Sequence, residues 1–148
     1  MKILGIDPGA TGAIAAIYST GAHNVWDMPP LPHDLADLLE TVVGEDDGIG
    51  MAYLEKAQAM PKQGVSSMFN YGVGYGTIIG ILTALNIPYT TVTPAVWKRA
   101  LGLTGKPKDA SRALARAHYP TASLNRVKDH GRAEALLIAE YGRQGRAS

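Results

Sequence analysis

The stretch KILGIDPG, residues 2–9, decides the fold, because it is an apolar run that stops at an Asp-Pro-Gly turn. A short apolar run with such an end is typical of a buried strand. Two further apolar runs follow at residues 12–18 and 22–28, and the turn-forming sequence Ser19-Thr20-Gly21 separates them. The spacing therefore predicts three consecutive strands joined by tight turns, with Asp7 at the end of the first.

Helices and strands alternate in the rest of the chain. Residues 32–43 place apolar side chains on one face of an amphipathic helix, and residues 48–55 form a fourth apolar strand that ends at Glu55. The later elements are a glycine-rich helix at residues 66–86, a fifth strand at 87–92, and helices at 94–101, 107–118 and 129–141. This order predicts one α/β domain over residues 1–148, with a mixed five-stranded sheet that contains an antiparallel meander and is flanked by helices, followed by a polar tail at 142–148.

The presence of several glycines inside the predicted helix at residues 66–86 needs a physical explanation. Glycine in a helix interior costs up to about 1 kcal/mol relative to alanine, so several of them imply a compensating benefit. The glycines are Gly72, Gly74, Gly76 and Gly80. We expect another helix or DNA to approach this segment closely.

Composition narrows the class of protein. The 148 residues are 46% hydrophobic and 18% charged, which is enough to bury the core of one domain. The absence of cysteine excludes disulfides, thiolate catalysis and zinc sites built on sulfur, so any metal must bind oxygen or imidazole. The sequence contains neither an apolar run of roughly 18 residues nor a secretory signal, and we expect a cytoplasmic protein without a membrane span.

Charge is distributed unevenly along the chain. Residues 1–55 contain one basic and nine acidic side chains, whereas residues 56–148 contain thirteen basic and four acidic ones. The net charge of +1 conceals this asymmetry. A basic half indicates a polyanionic partner such as nucleic acid, although the same residues would also suit a solvated surface.

Three acidic residues occupy positions where chemistry is common. Asp7 and Glu55 end apolar strands, and ligands gather at the carboxyl ends of adjacent parallel strands. Glu134 lies on the last helix with His130 one turn earlier, so both side chains share one face. Carboxylates brought together would repel unless divalent cations lay among them, and hard oxygen ligands favour Mg²⁺ or Mn²⁺. Taken alone, Asp7 would equally suit a turn, and the His130–Glu134 pair an ordinary helix start.

Four segments of the chain form an ordered set of motifs. They are residues 2–13 (KILGIDPGATGA), residues 53–56 (YLEK) with 60–67 (MPKQGVSS), residues 93–98 (TPAVWK) with 108–111 (KDAS), and residues 131–137 (GRAEALL). Together they resemble the motifs of the RuvC-like Holliday junction resolvases, and in particular their small bacteriophage branch. The resemblance spans residues 2–141, and four motifs in order are far more specific than any one of them.

The resemblance implies an RNase H-like fold, a homodimer with one active site per subunit, and metal-dependent cutting of four-way or other branched DNA. It implies that Asp7, Glu55, His130 and Glu134 are catalytic and bind the metal, which is Mg²⁺ with Mn²⁺ as a substitute, at two ions per site. The commonest pattern has an acid where this chain has His130, so the neighbouring Asp129 is an alternative fourth ligand. The last two site residues also lie four apart, rather than the three usual in the cellular branch. A phage origin would place the protein in the host cytoplasm.

The resemblance and the basic half of the chain together imply contacts with DNA. Basic side chains would bind phosphates and give affinity without sequence information. The candidate residues are Lys56, Lys62, Gln63, Phe69, Lys98, Lys106, Lys108 and Arg112. We expect the loop at residues 60–64, with an aromatic neighbour, to enter the junction centre, and residues 69–80 to form the dimer face.

Three other functions are compatible with parts of the pattern. A phosphotransferase of the actin and sugar-kinase type begins with a similar turn but needs a second large domain, for which 148 residues leave no room. A non-catalytic protein that binds branched DNA is favoured only by His130, whereas Asp7, Glu55 and Glu134 argue against it. An RNase H-like nuclease that acts on RNA–DNA hybrids would differ in substrate preference alone.

Overall fold

The structure is a computed structural model that describes residues 1–58 and 63–147, without the side chains of residues 146 and 147. Its strands are β1 (Lys2–Asp7), β2 (Ala13–Ile17), β3 (His23–Asp27), β4 (Ile49–Glu55) and β5 (Tyr89–Val92). Its helices are α1 (Pro32–Val43), α2 (Val65–Ala84), α3 (Pro94–Ala100), α4 (Ala110–His118) and α5 (His130–Ala147), with a 3₁₀ turn at Val127–Asp129 before α5. In the described part of the chain, no helix is long and apolar enough to cross a membrane.

The five strands form one mixed sheet in the order β3-β2-β1-β4-β5. The first three strands are antiparallel neighbours, whereas β4 lies parallel to β1 and β5 lies parallel to β4. Ile6 of β1 pairs with Leu54 of β4, so the next residues, Asp7 and Glu55, end their two strands side by side. The predicted α/β class, the five-stranded sheet, the antiparallel meander and the flanking helices are confirmed.

Helices cover both faces of the sheet. Successive strand residues point to opposite sides, so one strand contributes side chains to the core on each face. On one face, Leu4 and Ile6 of β1 belong to a core that includes Leu39 of α1 and Ile78 and Leu82 of α2. On the other face, α5 lies against β1, β2, β3 and β4 and also contacts α3 and α4. The central strands β1 and β2 are therefore buried on both sides.

The last helix runs through the centre of the second core. All five residues 135–139 of α5 are fully buried. The approach to the sheet is closest at Gly5 of β1, where a Cβ would overlap the backbone of Ala135. Glycine is required at this position, because any side chain would push α5 away from the strand.

The end of α5 differs from the prediction. The expected helix ends at residue 141, but α5 continues through residues 142–147, which the sequence predicts to be a polar tail. Gly142 is buried against the ring of Tyr53, and Arg143 and Gln144 donate hydrogen bonds to the Glu140 carboxylate. These tertiary and ion-pair contacts extend the helix, and the composition of residues 142–147 alone does not predict them.

The first three turns of α2 are exposed. Ile78 and Leu82 are the buried residues of this helix, and residues 65–76 include none. A Cβ added at Gly72, Gly76 or Gly80 would meet no atom within 4 Å in the described part of the chain. No element in the described part of the chain makes the predicted close approach to these glycines. A second subunit or DNA as the partner stays a prediction.

Candidate metal centre

Three acidic side chains meet where β1 and β4 end. Asp7 is the last residue of β1, Glu55 is the last residue of β4, and Glu134 lies in the second turn of α5. One carboxylate oxygen of each residue lies within 4.8 Å of those of the other two. The fold thus brings together the three carboxylates that the sequence singles out. We call these three residues the carboxylate cluster.

A network of ion pairs holds the beginning of α5 in place. The Asp129 carboxylate accepts hydrogen bonds from the backbone N–H of Arg126 at 2.9 Å and from its guanidinium at 2.7 Å. The Arg132 guanidinium donates to the Asp27 carboxylate, at the end of β3, at 2.7 and 3.0 Å. These contacts fix the helix end that carries Glu134 relative to the meander.

Asp129 does not join the carboxylate cluster. Its side chain is almost completely buried, and the hydrogen bonds from Arg126 lower its pKa below the usual range. It is not one of the three residues whose ligand atoms converge. Asp129, the alternative fourth ligand in the sequence, therefore serves to cap the turn before α5.

His130 lies beside the carboxylate cluster. Its Nε2 is 2.7 Å from Oε1 of Glu134, as expected for residues four apart on one helix face. The side chain is 23% exposed, so solvent can still reach it. Within the described residues, the ligand atoms that converge belong to the three carboxylates, so His130 meets the cluster through Glu134.

Burial and mutual repulsion shift the pKa values in the cluster. Burial, followed by the charges of Glu134 and Glu55, raises the pKa of Asp7 from 3.8 to about 8. Burial is also the largest cause of the raised pKa of Glu55. The charge of Lys98 opposes both shifts, and the charge of Lys108 opposes the shift in Asp7, so both lysines lie near the cluster.

The donor set fits a hard divalent cation. Carboxylate oxygens this close together are the ligands that Mg²⁺ and Mn²⁺ prefer. The repulsion between the carboxylates raises the pKa of Asp7, and a bound dication would substitute attraction for that repulsion. Its binding would therefore release the proton that Asp7 otherwise retains.

Trp97 is a neighbour of the cluster whose role no sequence pattern indicates. It lies in α3 and is fully buried. Its indole Nε1–H donates a 2.8 Å hydrogen bond to Oε2 of Glu55, which is 42 positions away in the chain. Local spacing cannot predict such a contact, and the sequence signal is that Trp97 lies within the motif at residues 93–98 (TPAVWK).

Most of the predicted DNA contacts are accessible. Lys98 is partly exposed beside the cluster, and Lys56, Lys106 and Lys108 are exposed. Phe69 is 70% exposed on α2. Of these side chains, Lys98 and Lys108 act electrostatically on Asp7, so they are the cations of the cluster's surroundings that could meet a polyanion.

Arg112 is held by the protein instead. Its guanidinium donates to Asp109 at 3.0 Å and to the backbone carbonyls of Leu124 and Asn125 at 3.2 and 3.1 Å. The side chain is 14% exposed. These bonds brace the segment after α4 and leave the guanidinium poorly placed to bind a phosphate.

The loop predicted to enter the junction is described only at its end. Lys62 and residues 60–61 lie outside the described residues. Gln63 is exposed and lies on the rim of a groove of about 560 Å³. This groove runs between Gly9, the proline-rich segment before α1, and α2, so it opens close to Asp7.

Comparison with known proteins finds one curated relative and several solved structures that are similar to this chain. No protein-family model matches the chain. Over 92 residues, which are 60% of this chain, the sequence is 39% identical to "Holliday junction resolvase MOC1, chloroplastic" of Chlamydomonas reinhardtii. The chain spans about a tenth of the length of that curated relative.

Solved structures share the fold. RuvC of Thermus thermophilus in complex with a Holliday junction substrate matches with a TM-score of 0.64 and 19% identity, over 98% of this chain and 97% of that one. A second structure of Thermus thermophilus RuvC matches with a TM-score of 0.63 and 17% identity over the same shares. The yeast mitochondrial Holliday junction resolvase Ydc2 matches with a TM-score of 0.56 and 19% identity, over 98% of this chain and 78% of that one.

These likenesses confirm the predicted fold and the resemblance to RuvC-like proteins. The chain has the fold of RuvC, a mixed sheet of the RNase H-like kind. The similar proteins come from an alga, a bacterium and yeast, so the bacteriophage branch stays a prediction.

Proposed function

We propose that the chain is a metal-dependent endonuclease that resolves branched DNA, four-way junctions foremost, by hydrolysing phosphodiester bonds. The observation that carries the proposal is the convergence of Asp7, Glu55 and Glu134 within 4.8 Å. The similarity to a protein named as a Holliday junction resolvase supports the choice of substrate. The RuvC fold supports both, because it is the fold of a protein solved with such a junction.

The metal would be held by the carboxylate cluster. Asp7, Glu55 and Glu134 are its ligands in this proposal, and His130 is the fourth residue of the site. Two divalent cations, Mg²⁺ or Mn²⁺, would activate a water for in-line attack and stabilise the charge on the leaving oxygen. His130, in contact with Glu134 and accessible to solvent, would be the fourth ligand in this proposal, and its alternative role is to carry a proton to or from the reacting groups.

The exposed basic residues would hold the DNA. Lys98 and Lys108, whose charges act on Asp7, would bind the phosphates beside the bond that is cut. Lys56, Lys62 and Lys106 would bind phosphates farther away, and Gln63 and Phe69 would contact the junction centre. Such contacts supply affinity and orientation without reading sequence. Arg112 contributes indirectly, because it is bound to Asp109.

The proposed enzyme acts as a homodimer. The exposed part of α2 carries Val65, Phe69 and Val73, which are 88%, 70% and 54% exposed. Pairing of this helix with its copy would cover these apolar side chains and use the open surface at the glycines. Two cutting sites related by a twofold axis would then nick two strands of one junction. Action in the cytoplasm is part of the proposal, whereas the algal relative is named as chloroplastic.

Cleavage of a synthetic four-way junction tests the function. The junction and a linear duplex of the same sequence are incubated with Mg²⁺, Mn²⁺ or EDTA, with wild type beside Asp7→Asn. We expect paired nicks in the junction that disappear in EDTA and in the variant. Tight junction binding without cutting would instead indicate a non-catalytic DNA-binding protein, and preferential cutting of an RNA–DNA hybrid would indicate a different substrate.

A further inference from the structure

A single hydrogen bond connects Trp97 to the carboxylate cluster. The indole is fully buried in the hydrophobic core on the α5 side of the sheet. Its one polar atom, Nε1, lies 2.8 Å from Oε2 of Glu55. A buried indole N–H needs an acceptor, and here the acceptor is a side chain that converges with Asp7 and Glu134.

The surroundings of α3 hold Trp97 in a defined orientation. This helix follows β5 directly, and the Thr93 side chain caps it by accepting a hydrogen bond from the backbone N–H of Val96 at 3.3 Å. Pro94 occupies the first turn, where its fixed φ suits a helix start. The ring of Trp97 is enclosed by the core, so the direction of its N–H is set by packing.

The next residue in α3 acts on the same carboxylate. The Lys98 ammonium is 5.5 Å from the centre of the Trp97 ring, and its charge is felt by both Asp7 and Glu55. One helix therefore supplies a directed hydrogen bond and a compensating charge to Glu55 from consecutive residues. A tryptophan that merely filled the core could donate its N–H to a backbone carbonyl and would need no charged neighbour.

We propose that Trp97 is a positioning residue of the metal centre, whose indole N–H holds the Glu55 carboxylate in the orientation in which it meets Asp7 and Glu134. The inference rests on the proposed metal site. A glutamate without this hydrogen bond rotates more freely, and it loses that freedom when a cation binds, so the affinity for the cation falls. The bond acts on the ligand and does not touch the DNA.

Cation affinity tests the proposal directly. Mn²⁺ binding to the full chain is measured by calorimetry without DNA, for wild type, Trp97→Phe and Tyr119→Phe. Tyr119 lies in the same core and donates its hydroxyl to another buried carboxylate, Glu140, so the control also removes one buried donor to an acid. We expect Trp97→Phe to raise the dissociation constant roughly tenfold or more. Tyr119→Phe should leave it within about twofold, because Glu140 is not in the cluster.

Equal affinities of wild type and Trp97→Phe would overturn the proposal, as would an equal loss in both variants. The wild-type protein offers a second measurement if Trp97→Phe does not fold. In its nitrogen-15 spectrum, Mg²⁺ should shift the indole N–H signal of Trp97 and leave that of Trp26 unchanged. An unshifted Trp97 signal at saturating Mg²⁺ would contradict the inference. None of these readouts needs DNA cutting, so a protein that binds Mn²⁺ without cutting contradicts only the proposed function.

Discussion

Asp7 links proton binding to the stability of the fold. Its pKa is raised to about 8 in the folded protein, whereas the unfolded chain loses this proton above its ordinary value of 3.8. Between these two values the cation-free folded protein binds more protons than the unfolded chain. Its free energy of unfolding should therefore fall as the pH rises from about 4 to about 8 and should level off above that, with a total change on the order of a few kcal/mol.

Asp7→Asn should remove most of this pH dependence. Urea unfolding in EDTA at about pH 5 and about pH 8 compares the variant with wild type. Asp37→Asn is the matched control, because Asp37 is an exposed acid on α1 and is not one of the three clustered carboxylates. The account of the cluster would be wrong if wild type and Asp7→Asn lost stability equally between the two pH values.

The presence of His130 in the site predicts a preference between Mn²⁺ and Mg²⁺. Three carboxylates and a neutral histidine carry one negative charge fewer than four acids, so the second cation should bind more weakly. Imidazole is a better ligand for Mn²⁺ than for Mg²⁺, so Mn²⁺ should support cutting at a lower concentration. The concentrations for half-maximal junction cutting measure the difference, and His130→Asp should reduce it. Equal values for the two metals in wild type would contradict this role.

Some of these side chains could be predicted from the sequence and others could not. Asp7 and Glu55 end adjacent parallel strands, so their meeting follows from the strand order. The choice between His130 and Asp129 as the fourth site residue depends on Arg126. The Arg126 guanidinium binds the Asp129 carboxylate only in the folded chain. Trp97 has its partner 42 residues away, so no helical or strand period connects them.

Among the helices and strands, the packing of α5 on β1 is the most constrained contact. A methyl group at Gly5 would overlap the backbone of α5, so Gly5→Ala should lower the free energy of unfolding by about 3 kcal/mol. Gly80→Ala is the control: it adds the same methyl group on α2 in space that is open within one subunit, and should raise the stability of the monomer by up to about 1 kcal/mol. Chemical denaturation measures both, and equal effects of the two variants would refute the packing argument.

Prediction of the elements themselves succeeded where local signals coincide. The bounds of α1, Pro32–Val43, match the amphipathic pattern and the proline at its start. The start of α3 likewise follows from the Thr93 cap and Pro94. The end of α5 does not, because the buried Gly142 depends on the distant ring of Tyr53. Elements defined by tertiary contacts cannot be bounded from local sequence.

Association of two copies concerns the complete fold. If α2 forms the proposed dimer face, Val73→Asp should convert a dimer into a monomer, because it places a charge among apolar side chains. The unfolding temperature of the variant should change little, since Val73 is 54% exposed in one subunit. Val43→Asp, at a 40% exposed position on α1, is the control and should remain dimeric.

Light scattering at micromolar concentration distinguishes these states. The monomeric variant should still nick junctions, but it should lose the pairing of nicks on opposite strands. A wild-type protein that is already monomeric under these conditions would reject α2 as the dimer face. The exposed glycines of that helix would then need another explanation.

The position of α5 in the chain has a consequence for synthesis. It supplies Glu134 and it covers one face of the sheet, yet it follows all five strands in the chain. A nascent chain that ends before α5 has Asp7 and Glu55 but no third carboxylate, and its sheet is bare on one side. Such a chain has no complete metal centre and exposes an apolar surface that chaperones and proteases bind. Translation of α5 therefore completes the carboxylate cluster and covers the apolar face of the sheet in a single step.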